Sequence, residues 1–173
     1  GFTFGKSASA YATPWQGAPG NINSALLGGQ NTDTGVNNIQ YTAELGNGVS
    51  LSIGLDDPTV WNRTSVYNLS IPGAIGANGT GSNAYAGTHM PEIVGRIRVD
   101  QAWGLFKLSA VAHNNTPGYY GATELTGHPD DNWGFAVQGA LQIKNIPPGA
   151  GDTLHLQAVY TDGATRHNLS SLA

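Results

Sequence analysis

PEIVGRIRVDQAWGLFKLSAVAH, residues 91–113, is the stretch whose reading decides the fold. Taken in steps of two, Ile93, Gly95, Ile97 and Val99 fall on one side, and Arg96, Arg98 and Asp100 on the other. A short turn at 101–103 reverses the chain. Phe106, Leu108, Ala110 and Ala112 then alternate with Lys107, Ser109 and His113. Strict alternation of this length specifies two antiparallel β-strands with one apolar and one polar face. Each arm is ~10 residues, enough for a tilted strand to cross a bilayer and longer than the ~5–6 usual in soluble sheets. The deciding question is whether the apolar face meets a protein core or lipid.

Working outward, the same pattern recurs. Ile39, Tyr41, Ala43 and Leu45 alternate with Asn38, Gln40, Thr42 and Glu44. Asn47-Gly48 follows, a strong two-residue hairpin signal because both positions tolerate positive φ. Val49, Leu51, Ile53 and Leu55 then face away from Ser50, Ser52, Gly54 and Asp56, and Pro58 ends the ladder. Trp133, Phe135, Val137, Leu141 and Ile143 oppose Gln138, Gln142 and Lys144. Leu154, Leu156, Ala158 and Tyr160 oppose Thr153, His155, Gln157 and Thr161. The expected strands are about 2–11, 36–46, 49–56, 92–100, 104–113, 132–144 and 152–161, in one segment spanning 1–173. The first is irregular: Phe2 and Phe4 share parity with Lys6, Ala8 and Ala10, which calls for a bulge or a misplaced side chain.

The connections alternate in length. Those at 12–34, 57–90 and 114–131 are long, while 47–48, 101–103 and 145–151 are short. Long loops at one end and short turns at the other fit an up-and-down outer-membrane barrel better than a Greek-key sandwich. Trp103 sits at a short-turn end, and Tyr11, Trp61, Trp133 and Tyr160 sit near long-loop ends, where interfacial aromatic girdles are expected.

Composition agrees. Of 173 residues only 10% are charged, against the ~25% typical of soluble domains, and 25 are glycine. A net charge of −4 argues against nucleic acid as a partner. With no cysteine there is no disulfide framework or thiolate metal site. No apolar run is long enough for a transmembrane helix. The absence of a leader and the opening Gly1-Phe2-Thr3-Phe4 read as a mature or truncated start.

Several ungapped motifs then converge on one family. VDQAWGLF (99–106), YYGATE (119–124), GHPDD (127–131), IKNIP (143–147), GAGDT (149–153) and VYTDGA (159–164) resemble the general porins of alphaproteobacteria, the rhizobial type. GFTFGK (1–6) and TPW (13–15) resemble them too. The resemblance covers nearly the whole chain, while the chain corresponds only to the middle of such a porin. It implies an all-β transmembrane antiparallel barrel, 16-stranded and trimeric in the family, in the outer membrane. It further implies that loop 12–34 folds inward to narrow the pore, and that the sequence is a piece of a longer protein.

The implied function is passive diffusion of small hydrophilic solutes and ions, set by pore width and fixed charge, without catalysis or cofactor. Inward parity selects Arg96, Arg98, Lys107, Glu44, Asp56, Asp100, Gln138 and His155 as pore-lining, with His113 and Lys144 beside them. Trp15, Asn21, Asn23, Gln30 and Asp33 belong to the constriction loop. That loop carries one acid, Asp33, so its share in ion selectivity is left open.

Other chemistries are weaker. His113, His128, His155, Asp130 and Asp131 match no hydrolase, phosphate-loop or zinc spacing, and Asp56-Asp57 before Pro58 reads as a strand stop rather than a calcium site. The expectation is therefore no enzyme and no metal. The rival class is a secreted β-rich carbohydrate-binding or adhesin-like module, to which sequons at Asn62, Asn68, Asn78, Asn114 and Asn168 would fit.

Overall fold

A computed structural model describes residues 1–15, 35–59, 66–70, 84–121, 123–147 and 149–168. Seven strands form one antiparallel sheet in chain order: β1 (Phe2–Ser7), β2 (Val36–Gly46), β3 (Val49–Asp56), β4 (Glu92–Gln101), β5 (Gly104–Asn115), β6 (Asn132–Lys144) and β7 (Thr153–Asp162). The topology is a pure up-and-down meander with β1 and β7 at its edges. Among the described residues no helix is long and apolar enough to cross a membrane, which does not bear on strands.

Local chemistry sets the register. Asn47 (φ 50°) and Gly48 (φ 73°) both take left-handed conformations, the geometry of a two-residue hairpin whose twist matches that of its strands. Gly46 pairs with Val49 across that turn, and a bulge between Glu44 and Gly46 absorbs one extra residue without reversing the faces further along β2. β4 and β5 pair from Ile93↔Ala112 to Gln101↔Gly104, so Ile93, Ile97, Val99, Phe106 and Leu108 lie on one side, while Val94, Leu105 and Val111 fall on the other with the arginines.

Burial is inverted relative to a soluble sandwich. Ile53 is 62% exposed, whereas its neighbour Ser52 is 6% exposed. Ile39, Leu55, Ile93, Ile97, Phe106, Leu108, Phe135 and Leu156 are likewise exposed on the apolar face, while Ser50, Lys107, Ser109 and Gln138 are buried on the polar one. A continuous apolar surface that none of the described residues covers is what a lipid-facing wall presents. β4 to β7 are 10, 12, 13 and 10 residues long, sufficient for a tilted crossing of the hydrocarbon layer.

The first strand ends at Ser7, short of the expected residue 11. Residues 8–13 instead turn onto the polar face, where Ala10 and Tyr11 pack with Val94, Val111, Ala136 and Ala164. Val94, Val111 and Ala136 are neighbours in register across β4, β5 and β6, an apolar row inside an otherwise polar surface. Burying Tyr11 there contributes roughly 1.5–3 kcal/mol, more than one further ladder hydrogen bond would give. Lys6 keeps the parity of Phe2 and Phe4 without a bulge and stands exposed at the end of the strand. The girdle position expected for Tyr11 is therefore incorrect: it is 1% exposed, beneath this segment. Trp103, Trp133 and Tyr160 are exposed, and Trp61 lies outside the described residues.

Backbone bonds tie the long connections together. Ala84 N–H donates to Val66 O (2.6 Å), Ala86 N–H to Thr116 O (2.8 Å) and Gly118 N–H to Ala84 O (2.7 Å). Asn68 Nδ2 donates to the carbonyls of Tyr119 (3.2 Å) and Tyr120 (2.8 Å), so this sequon residue clasps two loops.

Candidate functional site

The polar face is built in rows across the strands, because antiparallel register aligns residues of like parity. Ser52, Arg96, Ser109 and Gln138 form one row, and Ser50, Arg98, Lys107 and Ala140 the next. Arg96 and Arg98, two apart on β4, therefore stand beside Lys107 on β5. Arg96 Nε donates to Ser52 Oγ at 3.1 Å, and Arg98 grips Asp100 through Nε (2.6 Å) and Nη2 (3.0 Å). The Arg98–Asp100 pair is partly exposed and modest in energy, but it fixes where the guanidinium charge sits.

The segment after β1 lies over these rows. Lys107 Nζ donates to the Ala12 carbonyl, and Ser109 Oγ donates to the Tyr11 carbonyl at 3.1 Å. Tyr11 O–H reaches the His167 carbonyl at 3.5 Å, and the two rings meet edge to face 5.0 Å apart. Burial pushes the Tyr11 hydroxyl above a tyrosine's ordinary range, with Glu92 adding to the effect, so it stays a neutral donor. Further on, Trp15 stacks on His155 of β7, centroids 4.5 Å apart and planes 13° apart. Gln142 of β6 lies 2.8 Å from the far side of the same imidazole. The segment thus leaves the β1 edge, crosses the polar face over β5 and reaches β7.

The positions expected to line a pore divide into two sets. Arg96, Arg98, Glu44, Asp100 and His155 keep exposed or half-exposed polar surface. Lys107, Gln138 and Asp56 share that face but are buried, at 2%, 0% and 1% exposure, and so are covered rather than open to solvent. Of the expected constriction residues, Trp15 is at the β7 wall, and Asn21, Asn23, Gln30 and Asp33 lie outside the described residues.

Sequence reasoning missed a buried cluster at the long-loop end. Asp56 and Glu92 sit opposite each other on β3 and β4. Glu92 Oε1 is 2.7 Å from His113 Nδ1 on β5, and Oε2 is 3.2 Å from His167 Nε2 in the 3-10 turn Thr165–His167. All four groups are at most 2% exposed. His113 carried a signal, as an inward residue of β5; His167 carried none, lying beyond the last strand. Among the described residues no group of His, Cys, Asp or Glu is arranged to hold a metal ion. His128 Nδ1 is instead 2.8 Å from the Pro129 carbonyl, and Asp131 pairs with His89 at 3.0 Å on the surface. Asp57 accepts from Thr59 N–H (2.9 Å) and Oγ1 (2.6 Å), turn chemistry that holds its carboxyl below the ordinary range.

No curated protein and no solved structure matches the chain. A family model described as the porin subfamily matches residues 1–172.

Proposed function

The chain belongs to the porin family, whose members form channels in the outer membrane, and from that premise we propose that it is part of the wall of a water-filled pore for passive diffusion of small hydrophilic solutes and ions. One observation carries the reading: apolar side chains are exposed on one face of the meander, and the charged and polar ones line the other, with a segment of the same chain folded across it. In this reading β1 and β7, each unpaired along one side among the described residues, join further strands that close the wall, since open edges in lipid leave backbone groups unsatisfied. Trimeric assembly and the alphaproteobacterial type rest on the resemblance of the quoted motifs.

Selectivity follows from fixed charge. Arg96 and Arg98 place two cations on the wall, with Glu44 and Asp100 as the acids acting on Arg96, and residues 11–15 cross the same face. Loop 12–34 is the sieve in this account, and Trp15 its contact with the far wall. Single-channel recording of the detergent-purified full-length protein in a planar bilayer tests it. Ohmic steps are expected, with cation preference increased in Arg96→Ala/Arg98→Ala. A protein that stays soluble without detergent and opens no channels would overturn the proposal in favour of a secreted binding module.

A further inference from the structure

We propose that the buried Asp56–Glu92–His113–His167 cluster is a proton-sensitive latch that holds the inward-folded segment against the channel wall. The inference rests on the channel reading above and adds a regulation to it. Solute passage makes no use of these groups, which are sealed from solvent.

The geometry places one carboxylate at the junction of three elements. Glu92 on β4 accepts from an imidazole on β5 and from another on the 3-10 turn after β7. That turn is in contact with the inward segment through Tyr11, whose ring and hydroxyl both meet His167. The chain of contacts therefore runs from the wall (Glu92, His113) to the turn (His167) to the segment (Tyr11). The titratable groups facing the cluster are Asp56 from β3, Glu92 from β4, His113 from β5, His167 from the turn and Tyr11 from the segment; β6 contributes the uncharged Gln138 further along the same face. Lys107, six residues along β5, is engaged with Ala12 instead.

Charge balance makes the arrangement conditional. An ionised Glu92 has an oxygen for each imidazole. Among the described residues His113 Nε2 and His167 Nδ1 are buried without a hydrogen-bond partner, as are both carboxylate oxygens of Asp56, so a proton added to either ring creates a buried N–H that Glu92 does not accept and the contacts of the cluster must rearrange. A proton added to Glu92 turns one of its acceptors into a donor. The ring centroids of His113 and His167 are 6.3 Å apart, so once the carboxylate between them is neutral, two imidazolium ions repel each other in a site closed to water. Acidification therefore pushes the turn, and with it Tyr11, away from the wall.

The test uses the full-length protein in planar bilayers, recorded at about pH 7.5 and about pH 3, values that bracket the ordinary histidine and carboxylate ranges. Wild type is expected to switch between conductance levels roughly tenfold more often at the lower pH, the weight of about one charge-assisted hydrogen bond. Glu92→Gln should show the fast switching already at the higher pH, and His167→Gln should lose most of the pH response. His167 lies outside the strands, so its variant keeps the test informative if the Glu92 variant does not assemble. Steady wild-type channels with the same switching rate at both pH values would overturn the latch while leaving the channel reading intact. A pH response unchanged in His167→Gln would overturn it equally.

Discussion

Tyr11 shows how a single residue departs from what its strand position predicts. Its position lies within the strand expected to run to residue 11, but β1 ends at Ser7, and the ring drops onto the row formed by Val94, Val111 and Ala136. Alternation within a strand is legible in a sequence, but a row across three strands exists only once the register is known. Lys107 and Gln138 illustrate the same limit: parity places them on the polar face, and only the chain folded over that face makes them buried. Replacing Tyr11 with Ala should cost about 3–5 kcal/mol, as for other buried aromatic truncations. Tyr11→Phe, which loses only a hydrogen bond at the long limit of 3.5 Å, should cost less than about 1 kcal/mol. Equilibrium denaturation in micelles measures both. Equal small losses would mean that the ring is not packed as described.

Among the elements, the deciding hairpin is readable because its polar residues keep one parity, despite Val94, Leu105 and Val111 sharing it, and because its turn is short. β4 and β5 form with Ile93, Ile97, Phe106 and Leu108 all outward. What the alternation leaves open is the medium that the apolar face meets, since a sandwich core and a bilayer impose the same period on a strand. The described residues put nothing over that face, which, with the porin-family match, fits lipid there. Charge placed there must then enter hydrocarbon. Ile53→Arg, in the middle of β3, should destabilise the protein by about 2–4 kcal/mol when unfolded from lipid vesicles with urea. A change below about 0.5 kcal/mol, ordinary for an exposed position in water, would contradict a membrane-facing β3.

For the whole molecule, the sheet has its usual sides exchanged: grease outward, and charge inward beneath a covering segment. The order of long and short connections makes the meander legible in the sequence. The Glu92–His113–His167 cluster was not, because its members come from β4, β5 and a turn after β7 and meet only through tertiary folding. Glu92 and His113 face each other because the β4–β5 register sets Ile93 against Ala112, and no spacing along the chain encodes that. The most direct test of the sidedness uses the absence of cysteine, which lets a single thiol be placed at will. Arg98→Cys and Ile97→Cys are adjacent on β4 and project to opposite faces. With the protein reconstituted in vesicles, a charged, membrane-impermeant thiol reagent should label Arg98→Cys and leave Ile97→Cys untouched until the protein is unfolded. Equal labelling of the two in intact vesicles would contradict a wall with one face in lipid and the other in water.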